Sequence, residues 1–224
     1  MDARRLPPAV VAAASDRAGG ALEVAATALD GLLAVAGDRE LLEEAVAALE
    51  AGQPAMAPIW HLAAAARSPD PRSALAALRA RLAADADAAV ATATAWLVDR
   101  LAAHPGGAHP GAAATISHSS LVARVLGRDQ DAGLSTAPVV GVVGADAIGP
   151  TALLNADGTR ELAEQVPTLV VATAVKLVPA AVFGRLGGPG FEVVPLEALA
   201  AVVVGSEVLS PAQAGHRAEE LRSG

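Results

Sequence analysis

Short, continuous runs of apolar residues occupy the second half of the chain and limit the fold more than any other feature. The clearest runs are AAATIS, APVVGVVGA and TLVVATAV, and FEVVP and AAVVVG are weaker. Segments with helical spacing, such as SSLVARVLGR and GTRELAEQV, lie between them. Strands that are apolar on both faces are typical of a parallel sheet covered by helices on each side. The pattern predicts an α/β fold, with a Rossmann-like, mainly parallel domain over residues 115–224.

The first half of the chain has a different period. Apolar residues recur at helical spacing, as in ALEVAATALDGLLAVA and RELLEEAVAALEA. Asp38 is placed to cap the second of these helices, and the longest helix is expected from Pro71 to Ala103, with Ser68 or Asp70 as its N-cap. We therefore predict a helical domain over residues 1–103.

The stretch HPGGAHPGAAA, residues 104–114, is the predicted linker. Its two His-Pro-Gly units stop one helix and prevent another from starting at once. His104 and His109 have the side chain of a metal ligand, but no acid or cysteine flanks them. A solvated loop is the favoured interpretation, and we predict neither a metal site nor a cofactor.

Composition excludes several classes of protein. The 224 residues include no cysteine, which excludes disulfides and thiol nucleophiles and is typical of a reducing cytoplasm. The formal net charge is -8 and the arginines are scattered, so we expect neither nucleic acid nor a membrane surface as a partner. No apolar run reaches the roughly 18 residues of a membrane span. Pro7, Pro8 and Asp16 interrupt the first apolar patch, which is unlike a signal peptide, and we expect a cytoplasmic protein.

Four polar residues follow predicted strands: Ser117, His118, Asp146 and Lys176. Ligands of open parallel sheets bind at the carboxyl ends of the strands, so these side chains are expected to converge there. Lys176 is the only lysine of a chain that otherwise uses arginine, and its ammonium group suits a phosphate as a point charge.

Asp146 interrupts an otherwise apolar stretch, and two interpretations of it are open. Either it caps the turn that follows, or it is a general acid or base whose pKa is raised by partial burial. NADGT, residues 155–159, has the form of a turn before a helix and suits a second anion-binding loop. In it, Gly158 would free the backbone and Thr159 would cap the helix.

The serines around His118 also have two interpretations, which are compatible. Ser117, Ser119 and Ser120 lie where they could cap the next helix, and the same geometry aims backbone N–H groups at an anion. A Ser-His-Asp hydrolase is excluded because the chain has no G-x-S-x-G elbow to expose a nucleophile.

Three segments, in this order, carry a family resemblance: ISHSSLVARVL, VVGADAIGPTALLNADGTRELA and VVATAVKLVP. They resemble the regulatory (alpha, beta and delta) subunits of eukaryotic initiation factor 2B and their relatives, methylthioribose-1-phosphate isomerase and ribose-1,5-bisphosphate isomerase. GQPAMAPIWHL and DRAGGALEVAATAL extend the resemblance backwards over most of the chain. It implies a helical N-terminal domain, a Rossmann-like C-terminal domain, a phosphosugar or nucleotide site between them, and homodimers through the C-terminal domain.

The resemblance also implies roles for particular residues. The isomerases use an aspartate and a cysteine to open a sugar ring and move protons between C1 and C2. Asp146 matches the aspartate, and Ser119 stands where the isomerases have cysteine, beside His118. The matches to the phosphate contacts of the family are Arg17, Gly19 and Gly20 early in the chain and Asn155, Gly158, Thr159 and Lys176 later.

The departures from the family pattern concern both catalysis and binding. The hydroxyl of Ser119 titrates far above the roughly 8.5 of a thiol, so it is a poor acid at neutral pH. Gln53 replaces the arginine of the R-P-T segment, and Ala156 replaces a lysine. The family has a strand, a helix and a strand where only GRDQDAGLSTAP stands here, so part of the sheet is expected to be missing.

We therefore predict a divergent, shortened member of this superfamily that binds a phosphorylated sugar or nucleotide between its domains and is catalytically weak or inactive. One alternative is an aldose–ketose isomerase of a sugar 1-phosphate, in which Asp146 moves the proton and Ser119 or His118 polarises the ring oxygen. Another is a scaffold subunit of a larger assembly, since a sheet that has lost a strand exposes an edge for a partner.

Overall fold

The computed structural model describes residues 5–104, 112–117, 119–127 and 138–221. Its first half is helical, as predicted. Asp38 accepts a hydrogen bond from Leu41 N, and Asp70, not Ser68, caps the longest helix by accepting one from Ser73 N. The helices are α1 (Pro8–Ser15), α2 (Ala21–Val35), α3 (Arg39–Gly52), α4 (Ala57–Ala66) and α5 (Pro71–Ala102). Within the described parts of the chain, no helix is both long and apolar enough to cross a membrane. Most of the predicted linker, including His109, lies outside the described residues.

The second half alternates strands with short helices. Its strands are β1 (Ala113–Ala114), β2 (Val140–Val143), β3 (Ala147–Ile148), β4 (Ala152–Ala156), β5 (Thr168–Ala172), β6 (Phe191–Pro195), β7 (Ala201–Val204) and β8 (Glu207–Leu209). Its helices are α6 (Ser120–Leu126), α7 (Thr159–Gln165), α8 (Ala180–Phe183) and α9 (Pro211–Glu220), with single 3₁₀ turns at Ala174–Lys176 and Leu196–Ala198.

The main sheet has the strand order β1-β2-β5-β7-β8, and all its pairs are parallel except the one between β7 and β8. Every residue of β2, β5 and β7 is buried, which confirms the parallel sheet predicted from the continuous apolar runs. The run FEVVP differs. It forms β6, which pairs antiparallel with β4 in a separate sheet of order β3-β4-β6. Only Val194 of β6 is fully buried, and a half-exposed strand suits an antiparallel sheet.

Helices cover both faces of the main sheet, as expected. Side chains on one face, such as Val142, Leu169 and Val203, pack in one apolar cluster with α5 and α6. The alternate residues, such as Val170 and Val202, pack on the other face with α7 and α9. Successive side chains of a strand point to opposite faces, so burial of both faces requires unbroken apolar runs.

Helix α5 belongs to both halves of the molecule. Its first part contributes Leu75, Leu78 and Leu82 to the core of the helical half. Its later part packs Ala89 and Ala93 against the main sheet. The two halves therefore share one continuous helix, and the cleft between them opens at the carboxyl ends of β2 and β5.

Candidate functional site

A cavity of about 570 Å³ lies between the start of α2, the end of α3 and the carboxyl ends of β2 and β5. It brings together most of the residues predicted for the site: Asp146, Ser119, Arg17, Gly19, Gly20, Asn155 and Lys176. Gly158 and Thr159 are not among its lining residues. His118 lies outside the described residues.

Lys176 ends the 3₁₀ turn after β5 and is only 5% exposed. Its ammonium group forms no hydrogen bond or close ion pair with any residue in the described ranges, and the side chain lines the cavity. Burial lowers the pKa of Lys176, while the negative charges of Asp146 and Glu23 oppose that change. A buried amine without a bonded partner is costly, so it is a candidate for binding a ligand anion.

The helical half holds the turn that carries Lys176. Asp85 of α5 accepts a hydrogen bond from Ala174 N at the start of the turn. At its end, His61 Nε2 of α4 lies 2.8 Å from the carbonyl oxygen of Leu177. A carbonyl can only accept, so Nε2 of His61 carries the proton. Both ends of the turn are thus bound by side chains from outside the sheet.

Asp146 lies just beyond β2, with both its backbone groups bonded. Its N–H donates to Leu154 O, and its carbonyl accepts from Ala57 N at the start of α4. Its carboxylate, in contrast, has no hydrogen bond to any part of the chain that the structure describes, whereas a turn cap would require one. Burial raises the pKa of Asp146, and the positive charge of Lys176 opposes this rise. The carboxylate is therefore free to meet a ligand.

The serine segment approaches the strand that carries Asp146. Ser117 Oγ accepts hydrogen bonds from the N–H groups of Ser119 and Gly144, both at 3.2 Å, so its oxygen is engaged within the protein. A Cβ at Gly144 would lie only 2.8 Å from Cβ of Ser119, so the approach requires glycine. Ser119 precedes α6 without a side-chain cap bond, which leaves its hydroxyl available to the cavity.

Gln53 and Arg17 bond to the protein's own backbone. Gln53 is 6% exposed, and its Nε2 donates to both Ala13 O and Asp16 O at 2.7 Å. Both hydrogens of the amide are therefore used, and the glutamine braces the loop after α1. The exposed guanidinium of Arg17 donates to Ala14 O and Asp16 O. Neither side chain is preset to bind a ligand anion.

The glycine loop before α2 contains two further hydrogen bonds within the protein. Asp16 Oδ1 accepts from Ala18 N at 2.8 Å and from Gly19 N at 2.7 Å. These hydrogen bonds, first the one from Gly19, lower the pKa of Asp16. The N–H of Gly19, one of the two glycines expected to contact a phosphate, is therefore already bonded to a carboxylate.

The NADGT segment joins the end of β4 to the start of α7 through a two-residue turn, and only its first two residues line the cavity. Asn155 Nδ2 donates to Thr159 Oγ1, and that hydroxyl donates to Ala156 O at 2.7 Å. Gly158 has a left-handed φ of 93°, which favours glycine. Gly158 and Thr159 thus orient Asn155, and the structure does not bring them to the cavity themselves.

Two acids of the cavity, Asp16 and Glu23, were not predicted. Glu23 lies in the first turn of α2, next to the glycine pair, and that position is the only sequence signal for it. His61 and Asp85 were also missed, because each acts on a turn about a hundred residues further along the chain.

The geometry defines a class: a helical bundle joined to a parallel α/β sheet, with a polar cavity at the strand ends. The sequence matches no protein-family model and no curated protein. Solved structures do match the fold. A translation initiation factor eIF-2B from Pyrococcus horikoshii aligns with a TM-score of 0.65 and 15% identity, over 92% of this chain and 98% of that one.

Two further structures give the same result. The tetrameric eIF2B-beta2-delta2 complex from C. thermophilum aligns with a TM-score of 0.66 and 14% identity, over 93% of this chain and 91% of that one. The 5-methylthioribose 1-phosphate isomerase from P. horikoshii aligns with a TM-score of 0.56 and 14% identity, over 93% of this chain and 85% of that one. The chain has the fold shared by these initiation factor subunits and this isomerase, from which its sequence is strongly diverged. At such identities the likeness extends to the fold alone.

Proposed function

We propose that the chain binds a small phosphorylated ligand, a sugar phosphate or a nucleotide, in the cavity between its two halves. One observation carries the proposal: Lys176 is 5% exposed, lines the cavity and has no bonded partner among the described residues. A phosphate would supply the charge-assisted hydrogen bond that this ammonium group lacks. The isomerase with the same fold is named for a sugar 1-phosphate, which supports this ligand class.

We propose also that catalysis is weak or absent. An isomerase of the implied mechanism needs two groups that exchange protons near neutral pH. Asp146 has a raised pKa that suits one of them. By the family resemblance, Ser119 takes the place of the second group, and a hydroxyl is far too weak an acid for the role.

The experiment is a thermal-shift screen with sugar phosphates and nucleoside monophosphates, followed by calorimetric titration of each hit. A ligand at 100 times its Kd stabilises the native state by about 2.7 kcal/mol. Lys176→Met should weaken binding by about 1.5–3 kcal/mol, roughly tenfold to a hundredfold. Arg39→Met is the matched control, because it also removes one positive charge, at an exposed site on α3. Binding that survives Lys176→Met, or no binding at all, would contradict the proposal.

The raised pKa of Asp146 favours one second candidate, an aldose–ketose isomerase of a sugar 1-phosphate. Its test is deuterium uptake at C1 or C2 of the sugar in heavy water, followed by NMR. Turnover that disappears in Asp146→Asn while phosphate affinity persists would support the isomerase. Turnover that Asp146→Asn leaves unchanged would remove Asp146 from that role.

The homodimer implied by the resemblance remains a proposal. Val193 of β6 and Val208 of β8 are apolar side chains of the C-terminal half that are 49% and 46% exposed, and a dimer contact over either would remove apolar area from water. Light scattering should then give twice the chain mass of 22.1 kDa. A monomer at micromolar concentration would count against the dimer.

A further inference from the structure

One part of the cavity wall formed by the helical half, the loop after α1, has its donors bonded within the protein. The N–H groups of Ala18 and Gly19 are bonded to the carboxylate of Asp16. Both amide hydrogens of Gln53 are bonded to backbone carbonyls. A phosphate arriving at this loop would meet the carboxylate of Asp16 and none of these bonded donors.

The start of α2 also carries an acid, Glu23. Its N-terminus points at the cavity, where the helix dipole favours an anion. Glu23, in the first turn, folds back so far that a Cβ on Gly20 would collide with its carboxylate. The chain's own acids thus stand at both places where this wall could receive a phosphate.

The charges that line the described part of the cavity are three carboxylates and two cations. The carboxylates are those of Asp16, Glu23 and Asp146. Arg17 is exposed and bonded to backbone carbonyls, so Lys176 is the cation that remains for a ligand. Lys176 is also more than nine-tenths buried and has no hydrogen bond to the described residues, which indicates that a ligand anion binds at this position.

We infer that the ligand carries a single phosphate, held at Lys176, and presents hydroxyl or amine donors to the carboxylates of Asp16 and Glu23. Bisphosphates and nucleoside diphosphates are excluded because their second charge would face these acids. The inference rests on the proposed function and adds to it the number of anionic groups. The oxygens of the two carboxylates accept hydrogen bonds only, so they select ligands rich in donors.

The test is calorimetric titration of the full chain at pH 7.5 with fructose 6-phosphate, fructose 1,6-bisphosphate and inorganic phosphate. The monophosphate sugar should bind at least about tenfold more tightly than the bisphosphate. The double variant Asp16→Asn, Glu23→Gln removes both charges but keeps an oxygen acceptor at each position. It should reduce the preference for the monophosphate by about tenfold.

A matched control removes one carboxylate charge outside the cavity. Asp87→Asn removes an exposed carboxylate of α5 that pairs with Arg124, away from the cavity. It should leave the preference unchanged. Equal or tighter binding of the bisphosphate to the wild-type chain would overturn the inference while leaving the proposed function intact. Failure of all three probes to bind, together with no hit in the thermal-shift screen of sugar phosphates and nucleoside monophosphates, would overturn both.

Discussion

Asp85 Oδ2 lies 3.1 Å from the backbone nitrogen of Ala174 and accepts its hydrogen bond. The two residues belong to different halves of the molecule, α5 and the turn after β5. This bond begins the turn that ends in Lys176, and His61 binds the residue that follows it. The side chain proposed to hold the phosphate therefore takes its position from the helical half.

Asp85→Ala should destabilise the protein by about 1 kcal/mol, because the N–H of Ala174 loses its acceptor. Affinity for inorganic phosphate should fall as well, because Lys176 loses its support. Urea denaturation and calorimetric titration measure the two effects. Asp85→Asn keeps an oxygen acceptor and should recover most of both.

Asp87→Ala provides the control, since it makes the same change two residues along α5. Its ion pair with Arg124 is exposed and contributes little. If the Asp85 and Asp87 variants lost equal stability and affinity, the hydrogen bond to Ala174 would have no special role.

His61 should make stability depend on pH. Burial lowers the pKa of His61 below its usual 6.5, and the nearby Arg81 lowers it further, against the hydrogen bond to Leu177. The unfolded chain then binds more protons than the native one below pH 6.5. The contribution of neutral His61 is complete above pH 6.5 and is lost as pH falls towards the native pKa.

The variant His61→Gln cannot titrate in this range and should show a flatter pH dependence. Urea denaturation at pH 7.5 and pH 5.5 measures the difference. If the two proteins lost stability in parallel between these values, protonation of His61 would not be its cause.

Asp146→Asn should stabilise the ligand-free protein at neutral pH. Burial raises the pKa of Asp146 above 3.8, so the native state binds this proton more tightly than the unfolded chain does. The wild-type chain therefore loses stability as pH rises from 3.8 through the native pKa, by about 1.4 kcal/mol for each unit of the rise in pKa.

The asparagine variant lacks this loss because its side chain is always neutral. Its advantage in Tm should be near zero at pH 4, grow with pH and become constant at neutral pH. A thermal melt series over that range measures it. A variant that is less stable than the wild type at pH 7 would mean that ionised Asp146 stabilises the fold.

Gly215→Ala should destabilise the protein by up to about 2 kcal/mol, the difference between an overpacking cost of up to about 3 kcal/mol and the gain of alanine in a helix. A Cβ on Gly215 would collide with the carbonyl oxygen of Pro150, where α9 crosses the turn between β3 and β4. This overpacking cost exceeds the roughly 1 kcal/mol that alanine gains in a helix. Gly37→Ala, whose Cβ would have no neighbour closer than 3.8 Å, should change stability little. Similar urea midpoints for the two variants would contradict the packing argument.

The sequence predicts the main sheet well because complete burial leaves an unbroken apolar run in β2, β5 and β7. It fails for the second sheet. There β3 has only two residues, and the apolar run FEVVP of β6 was wrongly predicted as a parallel strand, although β6 is half exposed and pairs antiparallel. The apolar periodicity of a sequence indicates which residues are buried, but it does not indicate which strands pair with one another.

The site was also predictable only in part. Asp146 and Lys176 follow buried strands, and the rule that ligands bind at strand ends is enough to expect them in one cavity. The supports His61 and Asp85 depend on contacts between the two halves, which local sequence does not encode. The surroundings of Asp16 and Glu23 are local, but the cavity that they line forms only when the two halves meet. In the sequence, Gln53 was notable only because it replaces a charged arginine, but in the structure its amide donates two hydrogen bonds to backbone carbonyls.

The shared helix α5 has a consequence for how a ligand enters. It runs for 32 residues, about 48 Å, through both apolar cores. Hinged opening of the cleft would have to bend this helix, because neither core can rotate away while it remains straight. We therefore expect the cavity to have nearly the same width with and without a ligand. Ligands should enter and leave at rates set by diffusion and desolvation, without a slow closing step.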